Sequence, residues 1–244
     1  MKAKNYSASV MLLGIVWLLV GNLPCFAGDQ QWYVSYMSHD GGNHAHHTYS
    51  RSWQKESDVD FSMPGMYELT QYLPGVEPTA EQKKMADDLV RRSWQAAKDH
   101  GWFDYDQGIK DGFVQFDDTH YESEKFIHDG KVLDPDRPEY LMYYDTGEGK
   151  KLAGFMFLTN DQYQHGPQIG GPLTVWHYHI WDKPQCIHGN ARVKPVGADC
   201  PCPTAELSSR SREMMHVWFV EHPDGPFATG MTLSEELILK LKAR

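Results

Sequence analysis

The stretch Gly171-Pro-Leu-Thr-Val-Trp-His177-Tyr-His179-Ile-Trp181 decides how the rest of this chain is interpreted. From Thr174 to Trp181 the residues are β-branched and aromatic, which is typical of a β-strand. Side chains alternate between the two faces of a strand, so His177 and His179 are predicted to lie on the same face. Two imidazoles one pleat apart can form half of a metal site.

A second apolar stretch, Met214-Met215-His216-Val-Trp218-Phe-Val220, also predicts a strand. Its alternation puts Met214 and His216 on one face. If both strands face a common interior, His177, His179 and His216 converge with the Met214 thioether. The alternative is that each histidine is packed and hydrogen-bonded to a neighbour. A same-face pair with a third histidine on an apolar strand favours the metal site.

Copper is the first candidate for the metal, with zinc or iron next. Imidazole suits all three, and Cu²⁺ binds most tightly of the divalent first-row ions at an unselective site. The thioether of Met214 would favour Cu⁺, although methionines in apolar strands usually fill the core. The tract His39–His47 holds four histidines and is either a loose metal collector or a solvated polar linker.

His120 is a fourth candidate ligand, in a segment that is rich in acidic residues. Together with Glu122 or Glu124 it could ligate the ion or orient a ligating imidazole. The alternative is an acidic surface loop.

Residues 1–27 are predicted to be a secretory signal peptide. Lys2 and Lys4 precede the apolar run Val10–Val20, and a small residue, Ala27, ends the segment. Lipidation at Cys25 and an uncleaved anchor are the alternatives. The prediction is a periplasmic or secreted protein with no membrane insertion after cleavage.

The charge balance narrows the choice of partners. The full chain carries a formal net charge of −10, and removing Lys2 and Lys4 would make it −12. Such acidity argues against nucleic acid or an anionic membrane as a partner and suits a protein that attracts cations. A metal ion is therefore the predicted partner, and a protein partner stays open.

The predicted fold is α+β: a single domain, mainly an antiparallel β-sheet or sandwich (or a jelly roll). One long helix should precede the sheet, with Thr79 and Gln82 as its capping box and Gly101 after its end. A short C-terminal helix should follow, capped by Thr232 and Glu235. Residues 28–78 are predicted to be an irregular His-rich segment with Trp32–Met37 as a first strand, and residues 79–244 to be the metal-site domain. The remaining predicted strands are Phe113–Phe116, Tyr140–Tyr144 and Leu152–Leu158, the last two as a hairpin.

Three cysteines follow the predicted signal peptide, all in Pro184–Arg212, which is predicted to be a long loop. In an oxidising compartment Cys186 would pair with Cys200 or with Cys202, which leaves one thiol over. That thiol could be free, link two chains or bind metal.

The segments LDPDRPEYLMYY (133–144), GGPLTVWHYHIW (170–181) and MMHVWFVEHPDGPFA (214–228), with the cysteine after the second, resemble a group of exported bacterial proteins without an assigned activity. The likeness runs from His120 to Ala228. Gly171 followed by His177-Tyr-His179 is also similar to the first metal motif of cupins, which implies a metal-dependent oxygenase or isomerase. Cupins carry a glutamate after three or four intervening residues, where this chain has Lys183 and Pro184.

Three functions remain after these observations. The first is metal capture, delivery or sensing in the cell envelope. The second is a mononuclear metalloenzyme, a hydrolase or cupin-like oxygenase, that uses the same histidines. The third is a ligand-binding or protein-binding module in which the histidines are structural. No Ser-His-Asp order, phosphate-binding glycine loop or dinucleotide fingerprint stands out in the sequence.

Overall fold

The computed structural model describes residues 32–37, 54–55, 66–71, 76–188, 192–194 and 206–244. Within these ranges eleven strands form one antiparallel sheet, accompanied by four α-helices and a single 3₁₀ turn. The strands are β1 Trp32–Met37, β2 Gln54–Lys55, β3 Met66–Gln71, β4 Val114–Gln115, β5 His120–Glu122, β6 Tyr140–Asp145, β7 Lys150–Leu158, β8 His177–His188, β9 Arg192–Lys194, β10 Glu206–Arg210 and β11 Met214–Trp218. The helices are α1 Ala80–Asp99, α2 Tyr105–Lys110, α3 Glu124–Ile127 and α4 Glu235–Lys242, and the 3₁₀ turn is Gly171–Leu173.

The predicted α+β fold is confirmed: a long helix precedes most of the sheet and a short one ends the chain. The strand order is β2-β1-β3-β8-β11-β7-β6-β5-β4, and β9 and β10 both pair with β8. Of the described helices, none is long and apolar enough to cross a membrane. The predicted signal peptide and the tract His39–His47 lie outside the described residues.

Helix α1 begins as its capping box predicts. The hydroxyl of Thr79 accepts a hydrogen bond from the backbone N–H of Gln82 at 3.1 Å, and the Gln82 side chain accepts one from Thr79 N at 2.8 Å. The helical spacing of five apolar residues predicts the buried face: Met85, Leu89, Val90, Trp94 and Ala97. Leu89 and Ala97 are buried, but Met85 and Trp94 are each 37% exposed. The residues that are buried are mostly small and bring the helix close to the sheet: Ala86, Leu89, Ser93, Ala96 and Ala97.

The two faces of the sheet pack against different helices. On one face, Phe155, Phe157 and Val217 form a core with Ala86 and Leu89 of α1. The other face carries a second apolar cluster, completed by Leu241 of α4, whose sheet residues include Met156, Leu158 and Trp218. The second face also carries the candidate ligands His120, His177, His179 and His216.

Pro184–Arg212 is not the long loop that was predicted. β8 starts at His177, after the 3₁₀ turn, and continues to His188, where β9 and β10 pair with it. The proline is tolerated because the register between β8 and β10 shifts between the pairs Arg210↔Ile180 and Ser208↔Gln185. Pro184 falls in that irregular stretch, where the ladder does not need its missing N–H.

Two further elements correct the sequence prediction. β3 lies in the segment that was predicted to be irregular, and it pairs with β1 on one side and β8 on the other. Helix α4 is capped by Ser234, whose hydroxyl accepts a hydrogen bond from Leu237 N at 3.3 Å, and not by Thr232. Shifting the helix start by two residues leaves Thr232 in the preceding loop.

Candidate metal site

Strand register brings the site residues to one face of the sheet. His177 lies opposite Thr70 of β3 and Met214 of β11, and His179 lies opposite Glu68. Directly paired residues in antiparallel strands point to the same side, as do residues two apart on one strand. Glu68, His177, His179 and His216 therefore share the second face of the sheet.

Glu68, His177 and His179 form the candidate metal site. Each offers one ligand atom, and these atoms all lie within 4.8 Å of one another. His179 Nε2 is 3.7 Å from Glu68 Oε2, which is an ion-pair distance and too long for a good hydrogen bond. Glu68 is 6% exposed and His177 is 1% exposed, so the site is largely closed to water. The His179 side chain is 22% exposed and lies nearest to solvent.

The environment prepares two of these residues for a cation. Burial lowers the pKa of His177 to about 4, against the opposing charge of Glu68. Burial would raise the pKa of Glu68, but contact with His179 and Thr229 and the charges of His177 and His179 lower it to about 2. At neutral pH, His177 is therefore neutral with a free lone pair and Glu68 is an anion, the forms that bind metal.

His216 lies beside this group, with its ring centre 4.9 Å from that of His177. Its Nδ1–H donates to the carbonyl of Ala228 at 3.1 Å, and its Nε2 is buried with no hydrogen-bond partner among the described residues. Burial, followed by the charges of His177 and His120, holds the pKa of His216 well below its usual range. The sequence predicted that His177, His179 and His216 surround one ion. The His216 ring lies next to that of His177, but His216 is not a member of the 4.8 Å group.

His120 continues the row, with its ring centre 5.8 Å from that of His216. It lies on β5 and is 8% exposed, so the surface-loop alternative is wrong for this residue. Its Nδ1–H donates to the carboxylate of Asp117, 2.9 Å from Oδ2. Its Nε2 is also buried without a partner in the described part of the chain.

The other candidates have different surroundings. Glu124 is 72% exposed and its carboxylate contacts His128 Nε2 at 3.0 Å, so the structure does not bring it to the histidine row. Met214 packs against the apolar cluster that contains Met156 and Leu158. The disulfide predicted between Cys186 and Cys200 or Cys202 stays a prediction, because the side chain of Cys186 and all of the other two lie outside the described residues.

Glu68 is the residue that sequence reasoning missed. The stretch Met66–Gln71 alternates, with Tyr67 and Leu69 buried on one face and Glu68 and Thr70 buried on the other. A glutamate and a threonine look like the solvent side of an edge strand. The only local signal was this alternation, and the pairing of β3 with the His177 strand is not visible in the sequence.

No family model, curated protein or solved structure matches this chain. The resemblance to exported bacterial proteins therefore stays a prediction, and the function must be argued from the site.

Proposed function

We propose that the protein is an exported metal-binding protein that holds one divalent transition-metal ion through Glu68, His177 and His179. One observation carries this proposal: the three side chains approach one another within 4.8 Å in a largely buried position. A buried carboxylate is costly unless it is paired, and a cation at this place would pair it while using the imidazole lone pairs.

The donor set is the basis for the choice of metal. One carboxylate oxygen and two imidazole nitrogens suit Cu²⁺, Zn²⁺ and Fe²⁺, and Cu²⁺ binds most tightly where the site does not select by geometry. Copper thus stays first, as the divalent ion, with zinc and iron next. A carboxylate is a poor ligand for soft Cu⁺, so the proposal does not depend on Met214.

Capture or delivery in the cell envelope is the role that these features favour. The net charge of −10, or −12 without residues 1–27, would attract cations over long distances. The tract His39–His47 could collect ions and raise their concentration near the site. Export itself rests on the sequence of residues 1–27.

Metal analysis of protein purified without an affinity tag tests the proposal. We expect the wild type to retain a divalent ion after dialysis, and Glu68→Gln to lower the affinity for Zn²⁺ or Cu²⁺ by at least ten-fold. Glu124→Gln is the matched control, because that carboxylate is exposed and bonded to His128. Equal affinities for wild type and Glu68→Gln would contradict the proposal.

A mononuclear metalloenzyme is the second candidate, favoured by the composition of the site. Three protein ligands that include a carboxylate are typical of catalytic zinc and non-haem iron centres, which keep a position open for water. Added azide should change the absorption spectrum of the Co²⁺-substituted protein if such a position exists. An unchanged spectrum would favour capture or delivery.

A further inference from the structure

Three buried ring nitrogens lie without a hydrogen-bond partner in one row of histidines. Within the part of the chain that the structure describes, these are Nδ1 of His177, Nε2 of His216 and Nε2 of His120. Leaving a buried polar atom without a hydrogen bond is unfavourable. Three such nitrogens in neighbouring rings indicate that these histidines bind a ligand that accepts their lone pairs.

The protonation of His216 and His120 is defined by their partners. Ala228 O and the Asp117 carboxylate can only accept hydrogen bonds, so Nδ1 carries the proton in both rings. In a neutral ring the lone pair is then on Nε2, the unpartnered atom. Metal-ligating histidines typically donate their other N–H to a carboxylate or a backbone carbonyl, which fixes the tautomer and the ring orientation.

We propose that His120 and His216 hold a second metal ion, next to the ion bound by Glu68, His177 and His179. This inference rests on the proposed function and extends it, because the centre then contains two metals. His177 lies between the two positions, with its ring centre 5.8 Å from that of His179 and 4.9 Å from that of His216.

The distances between the donor atoms are too long for a single ion to be bound by all of these side chains. Imidazole nitrogens lie ~2.0–2.1 Å from zinc, so two donors to one ion are at most ~4.2 Å apart. Among groups of three or more described His, Cys, Asp and Glu side chains, only Glu68, His177 and His179 have donor atoms that all lie within 4.8 Å of one another. The ring centre of His120 is 5.8 Å from that of His216. One ion cannot be bound by the whole row in this conformation.

The surroundings of the second position suit a cation. Asp117 supplies negative charge through His120, because its Oδ2 lies 2.9 Å from the Nδ1 of that ring. Glu122 is buried on the same face of β5, two residues after His120. Water or a small anion would complete the coordination, and two adjacent ions can stabilise the attacking and leaving oxygens of a hydrolytic step.

Co²⁺ titration of the exported protein, followed by its visible absorption and by mass spectrometry of bound metal, tests the second site. The protein should carry no affinity tag, and the histidines of His39–His47 should be changed to asparagine so that they add no binding. We expect two equivalents per chain in this background and one in His120→Ala. Asp117→Asn should weaken the second equivalent about 10–100-fold, as expected when the carboxylate behind a ligating histidine is lost.

His100→Ala is the matched control, since His100 is a surface histidine that also contacts an aspartate, Asp136. It should keep two equivalents. If the background protein binds only one equivalent and His120→Ala still binds it, the second site is wrong and the proposed function stands. If the background protein binds only one equivalent and His120→Ala loses it, both proposals are wrong. Both are also wrong if the background protein binds no metal. If His120→Ala fails to fold, Asp117→Asn decides, because its carboxylate is 47% exposed.

Discussion

At the scale of single residues, burial prepares the site before any ion arrives. His177 is neutral and Glu68 is ionised at pH 7, because burial lowers the pKa of the first to about 4 and neighbouring imidazoles lower that of the second to about 2. Neither residue has to release a proton when a cation binds near pH 7. A bound ion would then offset the free-energy cost of burying the Glu68 carboxylate.

Met214 gives the clearest test of whether sulfur takes part. It packs against Met156 and Leu158, and leucine has a similar volume, so Met214→Leu should cost less than ~1.5 kcal/mol of stability. We expect the affinity for Cu²⁺ and Zn²⁺ to stay within about two-fold of wild type, as measured by competition with a chelator of known affinity. A ten-fold loss of Cu⁺ binding would show that the thioether is a ligand.

Glu139 makes the stability of the fold depend on pH. Burial raises the pKa of Glu139 to about 8, against hydrogen bonds from backbone N–H groups that include that of Leu158. The folded protein thus keeps a proton that the unfolded chain releases above about pH 4.5. This stabilising contribution is complete below that pH and is lost as the pH rises through 8, by an amount on the order of a few kcal/mol.

We expect the free energy of unfolding in urea to fall from pH 6.5 to pH 8.5 in wild type and to change much less in Glu139→Gln. Glutamine keeps the shape and the acceptor for Leu158 N but cannot ionise. Glu221→Gln, at an exposed carboxylate, should behave like wild type. If the free energy of unfolding falls with pH as steeply in Glu139→Gln as in wild type, Glu139 is not the group responsible.

At the scale of elements, local signals in the sequence located the two longest described helices and about half of the described strands, but not the pairing of strands that are distant in the chain. The capping box of α1 and the β6–β7 hairpin depend on neighbouring residues, and both are as predicted. The position of β3 beside β8 is a contact over more than a hundred residues of chain, and no periodicity encodes it. For that reason the two site histidines of β8 were predictable and Glu68 was not.

The N-cap of α4 is Ser234 in the structure, whereas the sequence predicted Thr232. Ser234→Ala removes the hydroxyl that accepts from Leu237 N, and this should destabilise the protein by about 1 kcal/mol, since buried Leu237 and Leu241 tie the helix to the core. Thr232→Ala should change stability by less than ~0.5 kcal/mol. Thermal unfolding of both variants checks the difference, and a larger effect at Thr232 would contradict the structure.

At the scale of the whole molecule, the single sheet separates packing from chemistry. Helix α1 covers an almost entirely apolar face, and the opposite face combines an apolar cluster with the row of histidines. The α+β class followed from one long amphipathic stretch and many short apolar ones. Which strands are neighbours, and therefore which polar residues meet, depends on the folded sheet alone.

Anomalous X-ray diffraction at the metal absorption edge, from crystals of tag-free protein grown with Zn²⁺ or Cu²⁺, tests the central claim most directly. We predict a strong peak within ~2.0–2.2 Å of donor atoms of Glu68, His177 and His179. Glu68→Gln crystals grown in the same way should lose that peak. A wild-type map in which metal density occurs only elsewhere, such as at the tract His39–His47, would contradict the claim.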